Sequence, residues 1–218
     1  MDGLLSLAHQ SRPGSPLDVL AGLTLLGIVP FVIVMTTSFV RIVVVLSLVR
    51  SAIGASSLPP NAVLTGLALV LTFVVMTPTL QRISHEALEP YGRGRLSQGA
   101  MLERGFAPLR SFMLRQTQLK DLALFERLAH AGHSDASAAP ADVLLPAFVV
   151  GELRSAFAIG FALYLPFVAI DLAVASILMG LGMFMLSPPI VSLPCKLLLF
   201  VTVDGWALVC DGVLSSFR

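Results

Sequence analysis

The chain has 218 residues, of which 56% are apolar and 12% are charged, and its mean hydropathy is +0.89. A soluble globular domain carries about twice this share of charge. The composition therefore excludes an ordinary soluble protein and indicates either an integral membrane protein or a subunit of a very apolar assembly. The formal net charge of +1 gives no reason to expect a nucleic-acid partner.

Residues 1–81 predict an N-terminal segment followed by a first helical hairpin. The run 19–40 is uncharged and long enough to cross a bilayer, which takes about 20 residues. Pro30 lies in its middle and is expected to kink or split the helix. The start of the chain is too short and too polar for a cleavable signal peptide, so we expect the first apolar run to remain in the mature protein.

A proline pair ends the first half of this hairpin, and the uncharged run 61–80 predicts its second helix, with Pro78 at the end. The apolar sequence over 143–218 predicts a second hairpin of the same kind. The two turns contain Pro59 and Pro60, and Pro188 and Pro189.

Residues 82–142 differ from both hairpins because their charges alternate in sign. Apolar side chains recur at helical spacing over 107–130, which predicts an amphipathic, water-facing helix. We expect this polar insert to join the two hairpins. His130 and His133 follow the helix, but no cysteine or carboxylate cluster completes a metal site, and we interpret them as solvated loop residues.

A methionine-rich segment before the second proline pair is the first candidate functional site. Its large, soft side chains are Met179, Met183, Phe184 and Met185. Methionine is unbranched and polarizable, so a ring of such side chains could close a channel and still deform around a passing peptide. The glycines within the segment lower its helix propensity. On composition alone, packing in a hydrophobic core is the simpler interpretation.

Charged residues inside the apolar runs form the second candidate site, because an unpaired charge there is costly. Glu152 and Lys196 have opposite signs, and we predict a buried pair within one subunit or between neighbours. Alternatively, Glu152 pairs locally with Arg154, or Lys196 extends to an interface. The other intramembrane charges are Arg41, Asp171, Asp204 and Asp211. The last two share a helix face, where capping and inter-helix hydrogen bonds are commoner roles than proton relay.

No Ser/His/Asp set, phosphate-binding loop, paired-cysteine site or metal motif occurs in the sequence. We therefore expect neither catalysis nor a bound metal or cofactor. The two broken hairpins also suit a small secondary transporter or ion-conducting channel, although no polar substrate pocket is evident. A purely structural membrane scaffold is the other alternative.

Four stretches resemble the FliP/YscR/SctR family, the core export-apparatus proteins of flagella and type III secretion injectisomes. These stretches are residues 30–54, 59–80, 146–161 and 193–206, and they include PAFVVGELRSAFAIGF and LPCKLLLFVTVDGW. The chain departs from the family pattern at Gly151, Ala158 and Phe184. The short N-terminus resembles the injectisome branch more than the flagellar branch.

The resemblance implies an export-gate subunit of the bacterial inner membrane. Family members form a pentameric ring with smaller membrane subunits of the SctS and SctT type, and unfolded polypeptides pass through its centre. The hairpins pack into a helical funnel that rises toward the periplasm and departs from ordinary membrane spanning, and we expect the polar insert on the periplasmic side. The resemblance also places a methionine gasket at the methionine-rich segment. The sequence is thus expected to form an all-α membrane protein of two helical hairpins joined by a polar insert.

Overall fold

The computed structural model describes residues 16–55, 58–129 and 139–217, and all regular secondary structure in these ranges is helical. Two helices, Asn61–Gly92 and Ala141–Gly180, are long and apolar enough to cross a membrane. Two bent helix pairs raise the number of candidate spans to four if each pair is one span. The predicted all-α membrane fold with broken helices is therefore confirmed.

The first hairpin begins with α1 (Pro16–Thr36) and α2 (Phe39–Ile53), which meet at a bend of 74°. The expected split at Pro30 does not occur, because α1 continues through this residue to Thr36. The bend lies at residues 37–38 instead. Thr36 there donates its hydroxyl hydrogen bond to the carbonyl oxygen of Val32 at 2.9 Å, and such side-chain bonds to the preceding turn tend to bend helices.

The second arm of this hairpin is α3 (Asn61–Ile83). Gly54 ends α2 with φ of +84°, a conformation that glycine adopts without steric cost, and Pro60 immediately precedes α3. The prediction that Pro78 ends the helix is wrong. Helix α3 passes through it and continues as a π-helix (Ser84–Leu88) and the short α4 (Glu89–Gly92). Long apolar helices tolerate proline when local adjustments satisfy the freed backbone groups.

The polar insert contains α5 (Gln98–Gln116) and α6 (Leu119–Leu128) rather than the single predicted helix over 107–130. Helix α5 begins early because the Ser97 hydroxyl caps it, accepting a hydrogen bond from the amide of Ala100 at 3.3 Å. The extended backbone at residues 117–118 separates the two helices. His130 and His133 lie outside the described residues.

The second hairpin contains the longest helix, α7 (Ala141–Gly180, 40 residues), followed by α8 (Pro188–Thr202) and α9 (Gly205–Ser215). Pro188 and Pro189 begin α8 rather than forming the turn, which occupies residues 181–187. Helices α8 and α9 meet at a bend of 66°. A helix of this length extends about 60 Å, roughly twice the hydrocarbon thickness of a bilayer.

Two hydrophobic clusters hold these helices together. The first joins both hairpins, and its most extensive contact is between α2 and α7. Gly160 permits this contact, since a Cβ atom there would lie 2.3 Å from a methyl carbon of Leu48. The second cluster packs α5 and α6 against the beginning of α7 and includes Met113 and Phe148. The insert therefore covers only the first part of α7.

Candidate functional site

A buried ion pair between Arg41 of α2 and Glu152 of α7 joins the two hairpins. The Arg41 side chain is 3% exposed and the Glu152 side chain is completely buried. Arg41 Nε donates to Glu152 Oε2 at 2.9 Å, and Nη2 donates to the other carboxylate oxygen. This fork-to-fork geometry fixes the relative orientation of the two side chains.

The remaining donors of Arg41 bind two further parts of the chain. Nη1 donates to the carbonyl oxygen of Ser216 at 2.9 Å and to its hydroxyl at 3.0 Å, and Nη2 donates to Gln116 Oε1 at 3.2 Å. The guanidinium carbon also lies 3.9 Å from the centre of the Phe217 ring. All five guanidinium N–H groups thus have acceptors. A single side chain connects α2, α7, the end of α5 and the segment after α9.

The structure replaces the predicted pair of Glu152 and Lys196 with two separate pairs. Lys196 Nζ lies 2.6 Å from Asp171 Oδ2, and the Ser192 hydroxyl donates to Asp171 Oδ1 at 2.5 Å. Asp171 follows Glu152 by nineteen residues on α7, which corresponds to about 28 Å along the helix. Lys196 therefore lies far from Glu152, and the prediction of a pair within one subunit is wrong.

The alternative pairing of Glu152 with Arg154 also does not occur. Arg154 Nη1 instead donates to Asp121 Oδ2 at 2.7 Å, and the Asp121 side chain is almost completely buried. Gly151 faces this carboxylate, because a Cβ atom at Gly151 would lie 3.6 Å from Oδ2. This pair attaches α6 of the insert to α7.

Replacing Ser192 with alanine is expected to destabilise the chain by about 1–2 kcal/mol, because Asp171 would lose a hydrogen bond to its charged form. Ser176→Ala is the matched control, since the exposed Ser176 hydroxyl donates only to the carbonyl of Leu172 within its own helix. Denaturation of the full-length chain in mixed micelles measures both changes. Equal stability of the two variants would contradict a role for Ser192 in holding Asp171.

The two remaining predicted acids, Asp204 and Asp211, are exposed. Asp204 immediately precedes α9 with φ of 50°, but its side chain does not cap the helix. In the described part of the chain, neither carboxylate forms a hydrogen bond or an ion pair. The expected capping role of Asp204 is therefore not observed, and the less common alternative, proton relay, is not tested.

The methionine-rich segment forms the tip of the second hairpin. Met179 lies at the end of α7, and the other three side chains lie in the turn that follows. Gly182 permits this turn with φ of +75°. Phe184 is 79% exposed and Met185 is fully exposed. The segment does not fill the core of the described chain, contrary to the simpler interpretation from composition.

Sequence reasoning identified Arg41 and Asp171 as charges within apolar runs but did not identify their partners. Asp121 gave no signal, because it belongs to the polar insert, where charges are common. No group of three or more histidine, cysteine, aspartate or glutamate residues arranged to hold a metal occurs in the ranges that the structure describes. The buried polar groups are arranged to connect helices.

Comparisons with known proteins identify similar chains. A model of the FliP family matches residues 22–213. The flagellar biosynthetic protein FliP of Pectobacterium carotovorum is 52% identical over 196 residues, which cover 89% of this chain and 76% of that protein. Its namesake from Bacillus subtilis is 42% identical over the full length of both chains. The namesake from Aquifex aeolicus is 43% identical over 90% of this chain and 83% of that protein.

Proposed function

The chain belongs to the FliP family, and from this we propose that it is a core subunit of a type III export gate. As a family member it is an export-apparatus protein of the bacterial inner membrane, not an enzyme. In the proposal its copies form a ring, pentameric as the resemblance implies. Together with smaller subunits of the SctS and SctT type, the ring passes unfolded polypeptides across the membrane.

We propose the flagellar form of this gate rather than the injectisome form. The relatives described above carry the name flagellar biosynthetic protein. They give no support to the preference for the injectisome branch, which was based on the short N-terminus. Residues 82–142 remain, in this proposal, a separate polar part on the periplasmic side, between the hairpins over 1–81 and 143–218.

The observation that carries the proposal is the uncovered apolar tip of the second hairpin. Phe184 and Met185 extend from a turn between two long apolar helices and have almost no cover from the described chain. Exposed apolar groups of this kind indicate a contact with another molecule. A ring of identical subunits brings equivalent tips together around one axis. Flexible methionine side chains can then close the opening and separate when a peptide passes.

The exposed acids fit the same assembly. Asp204 and Asp211 lie in an apolar helix pair, and a carboxylate at membrane depth needs a partner or a water-filled cavity. We propose that neighbouring subunits or the central channel provide this environment. Arg41, Glu152, Asp171 and Lys196 act differently, because they fix the helices of one subunit before it meets the next.

The test is ion permeability of membranes that contain the Met183→Ala/Met185→Ala variant. We expect a several-fold increase in leakage, because shortening both side chains opens the seal. The control variant Leu69→Ala/Phe73→Ala changes two comparably exposed side chains on α3 and is expected to leave leakage unchanged.

The alternatives predict different outcomes for the same variant when subunit assembly and solute uptake are measured beside ion permeability. A structural scaffold would lose subunit assembly without leakage, and a secondary transporter would lose uptake of one solute. Normal assembly with unchanged permeability in the methionine variant would contradict the proposed seal.

A further inference from the structure

Helix α7 ends in a Schellman motif, a capping arrangement in which two backbone amides beyond the helix donate to carbonyl groups of its last turn. The amide of Met183 donates to the carbonyl oxygen of Leu178 at 2.9 Å, and the amide of Gly182 donates to that of Met179 at 3.1 Å. These bonds satisfy two carbonyl groups that the end of a helix otherwise leaves without donors. Hydrogen bonds therefore fix the path by which the chain leaves α7.

The motif requires a left-handed backbone at Gly182, where φ is +75°. A residue with a Cβ atom disfavours this conformation by about 5- to 30-fold, whereas glycine adopts it freely. In such motifs the residue after the left-handed one commonly packs on the residue five positions earlier. Leu178 is buried, and Met183 is the least exposed of the four large side chains of the methionine-rich segment. The burial pattern thus agrees with a complete cap.

The residues after the cap have little other backbone support. Among residues 184–187, only the amide of Leu186 donates to a backbone carbonyl of the described chain, that of Met183 at 3.4 Å. This distance is longer than the usual range of about 2.7–3.2 Å. The two hydrogen bonds of the cap are shorter, so the direction in which Phe184 and Met185 leave the helix is set mainly at Gly182.

We propose that Gly182 is a positioning residue of the seal, which it serves by holding the backbone that carries Met183, Phe184 and Met185. In each copy the cap directs these side chains at the same angle from α7, so equivalent side chains meet at one height around the axis of a ring. Without the cap, the side chains of neighbouring copies take different directions and leave gaps. This inference rests on the proposed export-gate function, and it assigns part of the closure to a backbone conformation.

The experiment measures ion permeability of membranes that contain the assembled full-length chain, together with the amount of assembled complex. Gly182→Ala is the test variant, and Gly180→Ala is its matched control. Among the described residues, no atom outside the local backbone lies within 4 Å of a Cβ atom at either position. Both substitutions therefore add one methyl group in open space, but of the two only Gly182 has a left-handed backbone. Gly182→Asn is the conservative variant, because asparagine tolerates this conformation better than alanine.

Gly182→Ala is expected to raise ion leakage several-fold with unchanged assembly, because the left-handed conformation becomes about 5- to 30-fold less favourable. Gly180→Ala should leave leakage unchanged, and Gly182→Asn should leak less than Gly182→Ala. A merely structural role of residue 182 would instead lower the amount of complex without raising the leakage per complex.

Three results would overturn the inference. Equal leakage of the Gly182→Ala and Gly180→Ala variants would show that any added methyl group disturbs the segment. Equal leakage of the Gly182→Ala and Gly182→Asn variants would show that the left-handed conformation does not control closure. Loss of assembly in Gly182→Ala, with normal assembly in Gly180→Ala, would assign the residue to folding.

The Met183→Ala/Met185→Ala variant separates this inference from the proposed function. If that variant leaks and Gly182→Ala does not, the methionine seal stands and the positioning role of Gly182 is wrong. If neither variant leaks although both assemble, the proposed seal and the positioning role are both wrong.

Discussion

Replacing either Arg41 or Glu152 with glutamine is expected to destabilise the chain by about 3–5 kcal/mol, because the remaining charge stays buried without its partner. The pair is completely enclosed, and Arg41 also binds Gln116 and Ser216. Loss of the guanidinium therefore removes contacts to three parts of the chain. Denaturation of the full-length protein in mixed micelles measures the decrease in the free energy of unfolding.

The double variant Arg41→Gln/Glu152→Gln provides the decisive comparison. It should be about 2 kcal/mol more stable than the sum of the single effects predicts, since directly contacting residues are energetically coupled. Glu152→Gln combined with Lys196→Gln should instead be additive to within about 0.5 kcal/mol, because these side chains contact different residues. Additive effects of the Arg41 and Glu152 substitutions, together with coupled effects of the Glu152 and Lys196 substitutions, would support the pairing of Glu152 with Lys196 instead.

The second large effect is expected from Gly205→Ala at the beginning of α9. An added Cβ atom would lie 2.3 Å from two ring carbons of Phe200. The Phe200 ring is buried and packs edge-on against Trp206, with ring centres 5.2 Å apart. The ring must move to admit a methyl group, and overpacking of this kind costs about 1–3 kcal/mol.

Gly212→Ala is the matched control in the same helix. Among the residues that the structure describes, none has an atom within 4 Å of a Cβ atom at this position outside the local helix backbone. Alanine should therefore stabilise α9 by about 0.5–1 kcal/mol through its higher helix propensity. The two substitutions are thus expected to change the stability of the chain in opposite directions. Destabilisation by both substitutions, or by neither, would contradict the close approach of the Phe200 ring to Gly205.

The sequence was sufficient to predict the helices but not their breaks. Uncharged runs of about 20 residues identify membrane helices because lipid excludes charge and unpaired backbone groups. Proline is a weaker signal of a helix break in such runs, and both Pro30 and Pro78 lie inside continuous helices. The bend after α1 instead follows threonine side chains that bind backbone carbonyls, which is a small local effect.

For the candidate site, too, the sequence was sufficient to predict some features and not others. The sequence marks Arg41, Glu152, Asp171 and Lys196 as charges that need partners, but several pairings satisfy that requirement. Glu152 and Asp171 are separated by about 28 Å along α7, so Arg41 and Lys196 each reach only one of them. Predicting this requires knowing how the hairpins pack. The methionine-rich segment was recognisable from its composition and from the family resemblance. Its exposure at a hairpin tip depends on a turn conformation at Gly182.

The partners of Arg41 lie far from it in the sequence, which determines when during translation these contacts can form. Its carboxylate partner follows 111 residues later, and Ser216 follows 175 residues later. At about 5–20 residues per second, a ribosome needs roughly 6–22 seconds to progress from Arg41 to Glu152. Throughout this interval Arg41 lacks the carboxylate that it pairs with in the folded chain. The first hairpin therefore reaches its final arrangement only after the second has been translated, and a chain that stalls between them contains Arg41 without its folded-state partners Glu152 and Ser216.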